Sequence, residues 1–220
     1  MKQISNQKIL SEFLGTFLLV LTIVGSGIMG ENLSDNLALT LLGNSLATGA
    51  ILFVIITMFI NISGAYFNPA VVISDLINGK LNIKIASLFI FAQIIGGILG
   101  CLIANFYFEI NIFQWSTNER FAISTFISEI LATFGLILTI IIISTKDKDK
   151  VALAVALYIT AGYWFTSSTS FANPAVTIAR MFTDTFTGIH PGSVLYFILA
   201  QIIGAIIATF IAKYFINTKN

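Results

Sequence analysis

The chain has 220 residues, of which 57% are hydrophobic and only 10% are charged, and its mean hydropathy is +0.95. Soluble domains carry roughly 25% charged residues, so this composition excludes a soluble globular protein and indicates a polytopic membrane protein. A net charge of +1 without a basic cluster argues against a nucleic-acid partner. The single cysteine, Cys101, and the single histidine, His190, exclude a disulfide framework and give no basis for a metal or another cofactor.

Charged residues divide the chain into long apolar runs, and a helix that crosses the membrane needs ~20 such residues. We therefore predict an all-α protein in which the first apolar run is a spanning helix and not a cleaved signal peptide, because it is long, contains Glu12 and has no convincing small-residue cleavage site after it. The six predicted spans are 9–29, 37–60, 85–106, 122–144, 151–167 and 193–214.

The basic residues predict the orientation of these spans. If both termini are cytoplasmic, the cytoplasmic segments hold nine lysines and the outer segments hold only Arg120 and Arg180. Lysine and arginine are retained in short cytoplasmic loops. We therefore expect cytoplasmic termini, in a plasma or inner cell membrane.

Three sequence landmarks occur twice in the same order. Residues 11–17 resemble residues 128–134, and the segments 68–71 and 92–96 recur at 173–176 and 200–204. This indicates one membrane domain over 1–220 that is built from two repeats, approximately 1–110 and 118–220. Each repeat holds three predicted spans, so the second repeat enters the membrane from the opposite side, as an inverted 3+3 repeat.

The recurring segment at 68–71 and 173–176 begins with Asn-Pro in each repeat. Asparagine is a preferred N-cap and proline is tolerated at the first helical position. The pattern predicts two re-entrant half-helices over 68–78 and 173–183, each ~15 Å long, so that two end to end match the ~30 Å hydrocarbon core. The alternative, that these pairs only kink through-going helices, does not explain their repetition.

Irregular segments, 63–67 and 167–172, lead into the two Asn-Pro pairs. Irregular backbone at membrane depth must be buried in protein or line a watery cavity. Free carbonyls, two asparagine amides and two helix N-termini of roughly +0.5 charge each would then face the same space. We predict a passage that accepts a polar neutral molecule and repels cations and protons.

The two Asn-Pro-Ala boxes, the preceding Ser63-Gly64-Ala65 and the acids Glu12 and Glu129 together resemble the aquaporin, or major intrinsic protein, family over nearly the whole chain. The resemblance implies a passive channel rather than an enzyme, for water and small neutral solutes, in a lipid-embedded homotetramer with one pore per subunit. It also implies that Glu12 and Glu129 accept hydrogen bonds from the pore loops, in preference to a proton relay. The pore-motif residues are Asn68, Pro69, Ala70, Asn173, Pro174 and Ala175.

This chain departs from the family pattern at the outer constriction. Most members have an arginine directly after the second box, where this chain has Val176, and the usual aromatic is replaced by Thr48. Ser170 is a third constriction position by spacing, and the fifth-span position, for which Tyr163 is our candidate, is also open to Ala161 or Gly162. Losing a guanidinium and an aromatic ring should widen the constriction and remove its fixed cation.

Two charged residues occupy matching positions after the boxes. Arg180 lies four residues after Val176, on the same predicted helix face, and Asp75 is its counterpart in the first repeat. We expect Arg180 and Asp75 to flank the outer and inner vestibules. The alternative is that they form surface ion pairs with Asp184 and Lys80.

The segment 175–180 resembles that of bacterial aquaporins linked to arsenic resistance. This implies small polyols and uncharged metalloid acids, such as arsenous acid or methylated arsenicals, as solutes. A strict water channel is the alternative. A secondary transporter also has inverted repeats and broken helices, but it should place ion-coupling acids at the midplane, where this sequence offers two asparagines.

Overall fold

A computed structural model describes residues 5–217, which form eight α-helices and no strand. Lys2 and Lys219, which entered the predicted charge balance, lie outside the described residues. The helices are α1 Asn6–Leu33, α2 Leu37–Phe59, α3 Pro69–Ile77, α4 Ile83–Tyr107, α5 Ile123–Lys146, α6 Val151–Phe165, α7 Pro174–Ala179 and α8 Pro191–Asn217.

Five of the six predicted spans are confirmed as helices that are long and apolar enough to cross a membrane, namely α1, α2, α4, α5 and α8. The sixth, α6, has 15 residues and ends at Phe165, two residues earlier than predicted. At ~1.5 Å per residue it is ~22 Å long, which is less than the ~30 Å hydrocarbon core. Thr166 adopts an extended conformation, because the chain turns there into the loop that precedes Asn173.

The long helices pack as two similar pairs, α1 with α4 and α5 with α8. A Cβ atom added at Gly96 would lie 2.3 Å from the carbonyl oxygen of Phe13, and one added at Gly204 would lie 2.3 Å from the carbonyl oxygen of Ile130. Both pairs therefore cross with backbone against backbone, which only glycine permits at these two positions.

The two short helices begin where the sequence predicts. Asn68 and Asn173 cap them, and each side chain accepts a hydrogen bond from the backbone N–H two residues later. The first half-helix, α3, has nine residues, close to the prediction. The second half-helix has the predicted extent, 173–183, but only its first part is an α-helix: α7 has six residues and continues directly as a 3-10 turn, Arg180–Phe182.

Basic residues mark the two ends of the helix bundle. We call the end with Lys80, Lys146 and Lys148 the lysine end, and the end with Arg120 and Arg180 the arginine end. At the lysine end a short turn joins α5 to α6. There a hydrogen bond and an ion pair of 3.0 Å from Lys150 hold the pKa of Asp147 below its usual range.

Candidate functional site: a cavity along the bundle

One cavity of about 340 Å³ extends from the lysine end, past both helix caps, to the arginine end. At the lysine end it is lined by Asp75, Lys80, Lys148 and Asp149, and at its middle by Phe67, Asn68, Ala172 and Asn173. At the other end its lining includes Thr48, Tyr163, Ser170, Val176 and Arg180, a set that we call the arginine-end wall. Aliphatic side chains of α1, α2, α5 and α6 line much of the length between these levels. The cavity therefore combines apolar walls with polar groups at three levels.

The two caps at the middle of the cavity bind each other's loops. The Asn68 Nδ2 donates to the carbonyl oxygen of Ala172 at 2.7 Å, and the Asn173 Nδ2 donates to the carbonyl oxygen of Phe67 at 2.8 Å. The sequence predicts that both amides donate to a permeating molecule. An amide has two N–H donors, and each cap spends one of them on the opposite loop, so one N–H per cap remains for the cavity.

The loops before the caps share an unusual backbone conformation. Positive φ angles occur at Ala65 (53°) and Phe67 (50°), and at the matching positions Ser170 (51°) and Ala172 (46°). L-amino acids with side chains rarely adopt this region, at a cost of roughly 1 kcal/mol or more per residue. Such loops persist only when surrounding groups hold them in place.

Glu12 is the group that holds the first loop. Its carboxylate is fully buried and accepts from the backbone N–H of Tyr66 at 3.0 Å and of Phe67 at 2.7 Å. The Ser63 hydroxyl donates to it at 2.5 Å and the Gln93 amide at 2.7 Å. Four donors thus compensate one buried carboxylate.

Glu129 holds the second loop with the same set of donors. It accepts from the backbone N–H groups of Phe171 and Ala172, both at 2.9 Å, from the Ser168 hydroxyl at 2.6 Å and from the Gln201 amide at 2.7 Å. Because all four donors point at the carboxylate, the contacts suit a fixed anion. They do not provide the free acceptor that a proton relay needs.

The structure distinguishes between the three fifth-span candidates. Tyr163 lines the cavity, and its hydroxyl lies 3.0 Å from the Thr48 hydroxyl across the α2–α6 interface. Ala161 is exposed on the outside of the bundle. Gly162 is buried behind the cavity wall, where an added Cβ would lie 2.7 Å from the Ser170 Oγ.

Ser170 and Val176 complete the predicted constriction positions in the arginine-end wall. Both are buried, and among the described residues the Ser170 hydroxyl has no hydrogen-bond partner. Val176 presents an aliphatic surface of the second half-helix to the cavity. This wall is therefore apolar at Val176.

Arg180 lines the arginine end of the cavity, and the alternative, an ion pair with Asp184, is wrong. Its side chain is 1% exposed and lines the cavity, whereas Asp184 accepts from Thr117. The α-helix ends at Ala179, and the following loop folds back so that the N–H of Ile189 donates to the Arg180 carbonyl. That loop binds the guanidinium Nε through the Thr187 carbonyl oxygen, which sequence spacing cannot reveal.

Asp75 lines the lysine end of the cavity, and it also forms the ion pair that was the alternative. The Lys80 Nζ lies 3.1 Å from one Asp75 oxygen, and the Tyr66 hydroxyl donates to the other at 3.0 Å. The two predictions for Asp75, a position beside the vestibule and an ion pair with Lys80, are compatible, because an ion pair can itself line the mouth of a cavity.

Three contributors were missed at the sequence level. The amides of Gln93 and Gln201 complete the two carboxylate networks, and the repeated segments that contain them were a signal that could have revealed this role. Phe171 lies under the guanidinium of Arg180, whose Cζ is 3.5 Å from the ring centroid. No local sequence pattern identifies that contact.

Two half-helices meet cap to cap in the wall of one cavity, inside a bundle of apolar helices. This arrangement defines a multi-pass membrane protein of the channel class with an aquaporin-like fold. The chain matches the family model described as "Major intrinsic protein" over residues 1–150 and 144–220, and it belongs to that family.

Relatives with known names agree with this family. The chain is 42% identical to "Aquaglyceroporin AqpS" of Rhizobium meliloti (strain 1021) over 211 residues, 96% of this chain and 91% of that protein. It is 30% identical to "Aquaporin TIP1-1" of Arabidopsis thaliana over 182 residues, 76% and 71% of the two chains. The crystal structure of the aquaglyceroporin from Plasmodium falciparum has a similar fold, with a TM-score of 0.75 and 23% identity over 92% of this chain and 93% of that one.

Proposed function

We propose that the protein is a passive membrane channel for water and small uncharged solutes, and that it excludes ions and protons. It is not an enzyme. The observation that carries this proposal is the cap-to-cap arrangement of Asn68 and Asn173 within the wall of a cavity that extends to both ends of the bundle. Helix N-termini carry partial positive charge, so the middle of the cavity favours a neutral polar molecule over a cation.

The solute class is wider than water. The arginine-end wall carries Val176 where most family members have arginine, and Thr48 where an aromatic ring is usual. Pore diameter and lining groups set selectivity in channels of this kind. Small polyols such as glycerol and uncharged metalloid acids such as arsenous acid are therefore the proposed solutes, in line with the aquaglyceroporin name of the Rhizobium relative.

Each residue of the site has a proposed role. Asn68 and Asn173, with Pro69, Pro174 and the following alanines, form the central motif, and the carboxylates of Glu12 and Glu129 support the pore loops. Asp75 and Arg180 flank the inner and outer vestibules. The proposed selectivity filter consists of Thr48, Tyr163, Ser170 and Val176.

The lysine end is proposed to face the cytoplasm, with both termini there, in a plasma or inner cell membrane. The single domain is proposed to consist of inverted repeats, approximately 1–110 and 118–220. The matching donor sets around Glu12 and Glu129 support this. A homotetramer in lipid is proposed from the family, with one pore per subunit.

Light-scattering measurements on proteoliposomes test the function. We expect faster water and glycerol equilibration than in empty liposomes, linear in the solute gradient, and no proton or cation leak. Arsenous acid is the third solute, and elemental analysis measures its uptake. Saturable uptake coupled to an ion gradient would instead indicate a secondary transporter, and water flux without glycerol or arsenous acid flux would indicate a strict water channel.

A further inference from the structure

We propose that Arg180 and Tyr163 form a donor–acceptor pair in the arginine-end wall that binds the hydroxyl groups of passing solutes, so that Arg180 supplies the cation that Val176 lacks. The proposal rests on the proposed channel function and names its solute-recognition site.

Arg180 is a buried cation without an ion-pair partner in the described part of the chain. Among residues 5–217 no carboxylate forms an ion pair with it, and its one hydrogen bond runs from Nε to the Thr187 carbonyl oxygen. A buried charge that lacks both partner and water is costly. Because the side chain lines the cavity, its two terminal amino groups retain donors for molecules inside that cavity.

The guanidinium is held in a fixed orientation. Its Cζ lies 3.5 Å from the centroid of the Phe171 ring, which is a close cation–π contact, and Thr187 binds the Nε. Phe171 is itself fixed, because its backbone N–H donates to Glu129. The same network that shapes the second pore loop therefore also positions Arg180.

Proton counting assigns the role of Tyr163. The Thr48 hydroxyl donates its only hydrogen to the Asn44 carbonyl oxygen at 2.8 Å. With that hydrogen on the Asn44 carbonyl, Tyr163 is the donor in the 3.0 Å contact between the two hydroxyls, where the distance alone allows either oxygen to donate. Its oxygen receives no hydrogen bond from any other described residue, so its lone pairs are available to a solute.

The two groups are complementary to a hydroxyl. A solute O–H can donate to the Tyr163 oxygen and accept from the Arg180 amino groups, which replaces the water that the solute sheds. Val176 offers apolar contact to the carbon face of a polyol. A cation is instead repelled by the fixed positive charge of Arg180. The chemistry fits polyols and hydroxylated metalloid acids alike, and glycerol and arsenous acid serve as separate probes.

The experiment compares the glycerol-to-water permeability ratio of proteoliposomes holding wild type, Y163F, R180M and R180K. Y163F removes one oxygen at constant shape, and we expect its ratio to fall about tenfold, the effect of one lost hydrogen bond. R180M should lower the ratio similarly, while the helix N-termini at the two caps still exclude cations. R180K should lower the ratio but still exclude cations, because it keeps the charge and loses the planar donors. Arsenous acid flux should follow glycerol flux.

Y158F is the matched control for Y163F. The Tyr158 hydroxyl donates to the carbonyl oxygen of Ala132 at 3.0 Å, and Tyr158 does not line the cavity, so this variant loses a tyrosine oxygen outside the site. Its ratio should equal that of wild type. If Y163F and R180K keep the wild-type ratio in folded protein, the proposal is overturned even if R180M does not fold. A wild-type protein without any flux would instead contradict the proposed channel function itself.

Discussion

Asn68 and Asn173 each donate a side-chain hydrogen bond to the residue that precedes the other, at 2.7 and 2.8 Å. The same side chains also cap their own half-helices. Each asparagine therefore joins the start of one short helix to the loop before the other. This reciprocal contact fixes the middle of the cavity and leaves one N–H per amide for a solute.

Replacing Asn173 by aspartate tests the electrostatics of this point. The carboxylate still caps α7, but it cannot donate to the Phe67 carbonyl. Its negative charge offsets the partial positive charge of the two helix N-termini. We expect a new cation conductance in planar bilayers and a loss of about 1 kcal/mol of stability. Asn68→Asp should behave alike. If neither variant conducts cations, the charge barrier lies elsewhere in the cavity.

Replacing Glu129 by glutamine tests the support of the second loop. In glutamine an NH₂ group replaces one of the two carboxylate oxygens, each of which accepts two hydrogen bonds. At least two buried donors would then have no acceptor. We expect about 3 kcal/mol or more of destabilisation, since hydrogen bonds to charged groups are worth ~1.5–3 kcal/mol each. Thermal unfolding in detergent measures it, and Glu12→Gln should have a similar effect.

Glu31→Gln is the control for these two variants. Glu31 accepts a single hydrogen bond, from the Phe186 N–H, at an exposed site. Its replacement should change the melting temperature little. A Glu129→Gln protein as stable as Glu31→Gln would contradict the supporting role of the buried carboxylate.

Replacing Val176 by arginine tests the width of the cavity at the arginine-end wall. The valine is 2% exposed and lines the cavity, so a longer cationic side chain must extend into it. We expect glycerol flux to fall about tenfold relative to water flux, the effect of a barrier raised by ~1.4 kcal/mol. Val176→Met, which adds length without charge, separates size from electrostatics. An unchanged glycerol-to-water ratio in Val176→Arg would argue against this position in the filter.

Replacing Gly162 by alanine tests the packing behind Ser170. The new Cβ would lie 2.7 Å from the Ser170 Oγ, so Ser170 must move toward the cavity. Ser170 already has a positive φ, so its backbone has little freedom to adjust. Overpacking of this kind costs ~1–3 kcal/mol, and we expect reduced solute flux with a lower melting temperature. Gly43→Ala is the matched control, because apart from its chain neighbours and the nearby backbone of α2 no atom lies within 4 Å of its added Cβ. Equal flux and stability in the two variants would contradict the proposed contact.

The six apolar segments, the two helix caps and the paired landmarks were all readable from the sequence. Hydropathy and capping depend on residues close together in the chain, so Asn68 and Asn173 identify the starts of α3 and α7 without any tertiary information. The repetition of Glu12 as Glu129 pointed to a shared structural task. Helix ends were less predictable. The helix α6 stops early because the following loop enters the cavity wall, and α7 stops early because the chain folds back there, so that the N–H of Ile189 donates to the Arg180 carbonyl.

The surroundings of the second half-helix were decided only by the tertiary structure. Spacing after Val176 gave Arg180 a helix face, but the chain leaves the α-helix at Ala179, and the returning loop buries the guanidinium against Phe171. Likewise Tyr163 could not be separated from its neighbours until α6 packed against α2. Hydropathy and capping are local properties, whereas the direction of a side chain into a cavity depends on segments far apart in the chain.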